Sequence, residues 1–106
     1  MKSVEVNGVL YINPVKETLQ EQGVAPEVIL EIELEMLKVD VLAERDQLMT
    51  QVSLQITPLQ DADDLGMATP EESSRLITLK RYRVELSRIE SQVGYPHNVV
   101  WPDSVG

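Results

Sequence analysis

Cysteine and phenylalanine are absent from the 106 residues, and the chain has one tryptophan, three tyrosines and one histidine. Without cysteine there is no disulfide framework, no thiolate zinc site and no thiol nucleophile. A single imidazole leaves little for metal binding or general acid–base work. Aromatics at 4% leave the core to Leu, Ile and Val. A chain this short buries only about 60 to 65% of the surface it exposes when unfolded, so one small domain with a thin core is expected. After Met1-Lys2-Ser3-Val4-Glu5 no apolar run is long enough for a signal peptide or a membrane span. A cytosolic protein without membrane contact is the expectation.

Positive charge is also scarce, with 9 bases against 18 acids and a net charge of −9. That balance repels nucleic-acid phosphates and anionic lipid, which makes nucleic acid an unexpected partner. The sign is unevenly spread. Residues 27–64 hold ten acids against Lys38 and Arg45, whereas 75–88 hold five bases against Glu85. Mutual attraction of the two segments is one reading. Plain solvated helix faces are the other, since exposed ion pairs contribute roughly 0 to 1 kcal/mol each.

Residues 4–6 and 9–12 are apolar-rich and flank Asn7-Gly8, a dipeptide suited to a type I′ turn, so 3–12 reads as a small β-hairpin. Pro14 at a first helical position, Val15 and Leu19 on one side and Gly23 as a stop predict a helix of about two turns. From Val28 to Thr57 there is neither Gly nor Pro. Val28, Leu30, Ile32, Leu34 and Met36 alternate with Glu31, Glu33 and Glu35 as a strand would. Leu30, Leu34, Leu37, Val41 and Leu48 recur instead at helical spacing among strong helix formers, and helix is the reading adopted. Ile29, Ile32, Met36 and Val39 form a second apolar stripe, so more than half the circumference is apolar.

Pro58 is expected to bend or break this helix before it resumes through Leu65 to a stop at Gly66. Thr69-Pro70-Glu71-Glu72 is a capping box with proline in the first turn. Leu76, Leu79, Tyr82, Leu86, Ile89 and Val93 then form a seam for one antiparallel partner, ending at Gly94. Tyr95 to Pro102, with two prolines, should run extended. The expected fold is mainly α: a long antiparallel helical hairpin with a small N-terminal β-hairpin and an extended C-terminal tail. The hairpin and short helix occupy 1–24 and the helical hairpin with its tail 25–106, in a single compact unit overall.

Chemistry is hard to find. Glu31 and Glu33 point about 200° apart on a helix and cannot pair on one face; Glu31 with Glu35 could. Asp61, Asp63 and Asp64 have the flavour of a calcium loop but lack its glycine and terminal glutamate spacing. No Ser and Asp arrangement makes a triad with His97, and no glycine-rich phosphate loop occurs. Arg81, Arg83 and Arg88 flank an apolar seam in an acidic chain, which reads as ion pairing with the preceding helix. No catalytic residue, metal or cofactor is expected.

The order of segments carries more. Ala43-Glu44-Arg45-Asp46-Gln47-Leu48, Pro58-Leu59-Gln60-Asp61-Ala62, Asp64-Leu65-Gly66-Met67-Ala68-Thr69, Lys80-Arg81-Tyr82-Arg83-Val84-Glu85-Leu86 and Val99-Val100-Trp101-Pro102 follow one another. Together they resemble the C-terminal region of the tail fibre assembly proteins of tailed bacteriophages and prophages. Gly94-Tyr95-Pro96-His97-Asn98 leading into that ending also resembles the short phage tail assembly chaperones. The resemblance spans about 43–102. It departs at Leu79, where the family usually carries Trp, and at Asp63, where it carries an apolar residue; residues 1–42 do not match the large N-terminal part of longer members.

The resemblance implies a non-enzymatic chaperone in the cytoplasm of the bacterial host that helps a tail fibre or tail protein fold and oligomerise. A permanent virion subunit capping a fibre or tail is the alternative, and an acidic nucleic-acid mimic a weaker third. A chaperone of an oligomeric client needs an apolar surface that the client's own interface later displaces. Val28, Ile29, Ile32, Met36 and Val39 are the expected partner-binding face, also able to bury itself in a homo-oligomer, most simply a dimer. Thr69, Leu79, Tyr82, Leu86, Ile89 and Trp101 are expected to be structural, with Trp101 covering the seam of the second helix.

Overall fold

A computed structural model describes residues 3–103. Strands β1 (Ser3–Val6) and β2 (Val9–Ile12) pair antiparallel, with Val6 opposite Val9 and Val4 opposite Tyr11. Asn7 and Gly8 both take positive φ, 53° and 79°, which closes the type I′ turn and matches the right-handed twist of the strands. Alternation then decides the faces: Val4 and Val6 turn inward, and Glu5 and Leu10 share the outer side.

Helix α1 (Lys16–Glu21) starts after an N-cap at Val15, so Pro14 precedes the helix instead of opening it. Its end is a Schellman arrangement, with Val24 N donating to Leu19 O and Gly23 N to Gln20 O. Helix α2 (Pro26–Asp64) follows, and the alternating residues 28–36 lie in it as helix, not strand. Ile29 and Ile32 pack on Val4, Val6 and Leu19, with Tyr11, Val24, Val28 and Met36 against them.

Of the bend or break expected at Pro58, the break does not occur: α2 runs through it without interruption. Pro58 and Leu54, whose carbonyl loses its helical donor, are both exposed, so water can satisfy that oxygen. The helix ends four residues beyond Gln60, where Gly66 takes φ 69° and donates to Asp63 O while Met67 N donates to Ala62 O. Only a residue tolerant of left-handed backbone closes this cap cheaply.

Helix α3 (Pro70–Ser87) begins at the expected capping box: Thr69 Oγ1 accepts from Glu72 N at 3.1 Å, and Thr69 N donates to Glu72 Oε1 at 3.0 Å. Thr69→Ala should cost about 1 kcal/mol in chemical denaturation, and Thr69→Ser most of that less. A Thr69→Ala variant as stable as the parent would show that the cap contributes nothing.

α3 stops at Ser87, short of the expected Val93. Arg88 leaves helical geometry at φ −104°, ψ 6°, and Ile89–Ser91 tighten into a 3-10 turn. Beyond it residues 93–97 form a turn containing a cis Tyr95–Pro96 bond, so the tail is extended only after Asn98. Val93, expected in the seam, lies past the helix end and is fully exposed.

The described chain divides into two compact units, Met1–Leu42 and Ala43–Gly106. The division expected at residues 24 and 25 lies inside the first of them, because Ile29 and Ile32 complete the core of the β-hairpin. In the second, Val52 and Ile56 of α2 form a core with Leu76, Leu79 and Leu86 of α3, the helical hairpin expected from the seam.

Candidate partner-binding surface

The face expected to meet a partner divides once folded. Ile29 and Ile32 are buried, Val28 and Met36 are half-buried beside them, and Val39 alone of the five is exposed. Ile29 and Ile32 are therefore corrected from surface to core residues: the hairpin, only ten residues long, already supplies a lid for their stripe. Apolar exposure in this unit moves to β2 and to the opposite side of α2. Leu10 and Ile12 are 59% and 56% exposed, and Val9 and Val15 are about as open. β2 carries no charge and no proline, and its outer edge pairs with no strand among the described residues. Such an edge is a template for another chain. Lys16, Gln20, Val24, Pro26, Ile29, Leu30 and Glu33 line a shallow groove of about 430 Å³.

In the second unit Leu79, Leu86 and Ile89 are fully buried, while Tyr82 and Trp101 lie half-buried, both against the core of the helical hairpin. Gln92 holds the tail. Its Nε2 donates to Val100 O at 2.7 Å and its Oε1 accepts from Val100 N at 2.8 Å, as a neighbouring strand would. No spacing rule in the sequence singles out this residue, because its partner is eight positions away around a turn.

The expected ion pairing of 75–88 with α2 is not what forms. Arg45, a base on α2, donates to Glu90 at 2.6 Å and to its neighbour Asp46 at 2.9 Å. The Asp46 hydrogen bonds raise the Arg45 pKa, desolvation lowers it, and the Glu90 bond raises it again, leaving a net increase. Arg75 reaches Gln55 on α2, not an acid. Asp64 accepts from Gln60. Among the described residues no cluster of three or more His, Asp or Glu could hold a metal, and no helix is long and apolar enough to cross a membrane.

Residues 12–105 match the family described as the Caudovirales tail fibre assembly protein, lambda gpK. The chain belongs to this tail fibre assembly family. The match reaches well into the first unit, beyond the 43–102 stretch on which the resemblance rested. Among relatives of this family member, the tail fiber assembly protein of Escherichia phage lambda is 43% identical over 58 residues, 55% of this chain and 29% of that protein. The prophage tail fiber assembly protein homolog TfaR of Escherichia coli K12 is 43% identical over the same length and shares. A probable tail fiber assembly protein of Acyrthosiphon pisum secondary endosymbiont phage 1 is 49% identical over 47 residues, 44% of this chain and 29% of the relative. The matched stretch thus spans about 30% of the length of these relatives. No solved structure matches the chain.

Proposed function

We propose that this chain is a non-enzymatic assembly chaperone that binds a phage tail fibre protein in the bacterial cytoplasm and promotes its folding and oligomerisation. The family match over 12–105 carries the reading. The exposed outer side of β2 supports it physically, because a folding client offers unpaired strands and apolar side chains of the kind that edge accommodates. Leu10 and Ile12 are the client-contacting residues in this reading. The chain contributes binding alone, and release follows when the client's own subunit interface covers the same surface.

Co-expression with the fibre encoded by the neighbouring gene tests this. The fibre should pass from aggregated chains to a soluble trimer only when this chain is present. Leu10→Lys with Ile12→Lys should abolish that rescue while the variant keeps its helical circular dichroism, since both side chains are already solvent-facing and Lys at 10 would oppose Glu5. A fibre that trimerises equally without the chain would refute the chaperone role. A stoichiometric copy in purified particles would favour the capping subunit.

A further inference from the structure

Three cations of α3 and one at its C-cap have no acidic partner among the described residues. Lys80, Arg81, Arg83 and Arg88 take part in none of the hydrogen bonds or ion pairs among the described residues. Arg81 shares one stripe of α3 with Ile77 and Val84, at steps of four and three, and Arg88, four residues past Val84, continues it at the C-cap. That face lies opposite Leu76, Leu79 and Leu86, and its apolar members are open: Ile77 is 59% and Val84 45% exposed. In a chain of net charge −9, this face combines guanidinium groups with open β-branched side chains.

Its complement is in the other unit. With Ile29, Ile32 and Met36 turned to the β-hairpin, α2 presents Glu27, Leu30, Glu31 and Glu33 outward, all exposed, and Leu30 is 66% open. Glu27 and Glu31, one turn apart, share the outer side of α2 with Leu30, as Arg81 and Arg88 share theirs with Val84. Neither carboxylate forms an ion pair among the described residues.

We propose that a second copy of this chain covers the α3 stripe, placing its acidic α2 face around Glu27, Leu30 and Glu31 on Ile77, Arg81, Val84 and Arg88. The two contacts are exchanged between copies in a dimer. Charge complementarity selects this occupant, because the same sequence encodes both the basic stripe and its acidic counterpart, each centred on exposed apolar side chains. Guanidinium groups suit the task, since each can meet a carboxylate with two parallel hydrogen bonds while its flat face covers apolar surface. The contact does not involve Leu10 or Ile12 and stands apart from client binding.

Sedimentation of the full chain tests the proposal. A dimer is expected at about 50 mM salt, with a dissociation constant at least about tenfold higher at about 500 mM, because the contact depends on screened charge. Arg81→Glu with Arg88→Glu, and separately Glu27→Arg with Glu31→Arg, should each give monomers, since every homotypic contact then sets like charges together. An equimolar mixture of the two variants should restore a dimer, both contacts being matched again. Wild type that is monomeric in low salt at a concentration on the order of 100 μM would overturn the proposal. So would a mixture that stays monomeric, or a dimer indifferent to salt and to both reversals. Should either variant fail to fold, the salt dependence of the wild type decides. Loss of fibre rescue in the arginine variant of a monomeric wild type would assign the stripe to the fibre and equally overturn the second-copy contact.

Discussion

Leu79→Ala is expected to lower the stability of the Ala43–Gly106 unit by about 2 to 5 kcal/mol, the range for removing a fully buried leucine without collapse of the cavity left behind. Leu79 is fully buried in the core that Val52 and Ile56 of α2 form with Leu76 and Leu86 of α3. Its removal therefore takes contacts from both arms of the helical hairpin. Trp101 packs on the same core and is the chain's single tryptophan, so its emission during urea titration reports the transition directly. Two residues earlier on the same helix, Ile77→Ala should change stability by less than about 0.5 kcal/mol in dilute protein, because the side chain is exposed there. Equal costs at 77 and 79 would mean that the seam is wrongly placed.

The second large effect is expected at Gly94. A Cβ added there would collide with the backbone oxygen of Asn98 and sit 3.0 Å from the Asn98 Cβ. The carbonyl of Gly94 accepts from Asn98 N at 2.7 Å, so the turn is closed on itself and neither group can withdraw without opening it. Gly94→Ala should cost about 1 to 3 kcal/mol, as forced overpacking does. The tail loosens with it, because the Gln92 bonds to Val100 and the seat of Trp101 both depend on where that turn delivers the chain. A red-shifted Trp101 emission in the folded variant is the specific sign. Unchanged emission together with unchanged stability would show that the turn adapts freely.

Several features of this protein are local and therefore legible from neighbouring residues. Asn7-Gly8 selects a type I′ turn because few other dipeptides take positive φ twice, and the alternation on either side makes it a hairpin. Thr69 and Glu72 satisfy each other's orphan donors across three positions, so the start of α3 needs no tertiary information. The seam from Leu76 to Leu86 is periodic at helical spacing and buries as its period requires. Family membership was legible too, through the ordered segments of 43–102, and the match over 12–105 extends it.

Tertiary structure decided what local pattern leaves open. The wide apolar circumference of 28–42 says only that a lid is needed; that the chain's own β-hairpin covers Ile29 and Ile32 depends on the packing of residues far apart in sequence. Pro58 stays helical because Leu54 and the proline ring face water, and the direction a residue faces is set by the partner helix, not by the proline. Gly94 looked like a helix stop, yet its role is the close approach of Asn98, which follows from how the turn folds back. The cations of α3 looked paired by charge arithmetic along the chain. Among the described residues Lys80, Arg81, Arg83 and Arg88 pair with no acid, because ion pairs form between side chains that share a face, and the folded hairpin turns Arg81 and Arg88 away from the core it shares with α2. Periodicity in the sequence thus determined which elements form and where most of them begin, because those choices are settled by interactions within a few residues. Which faces remain free for a partner is a property of the packed molecule, since it depends on what every other segment has already covered.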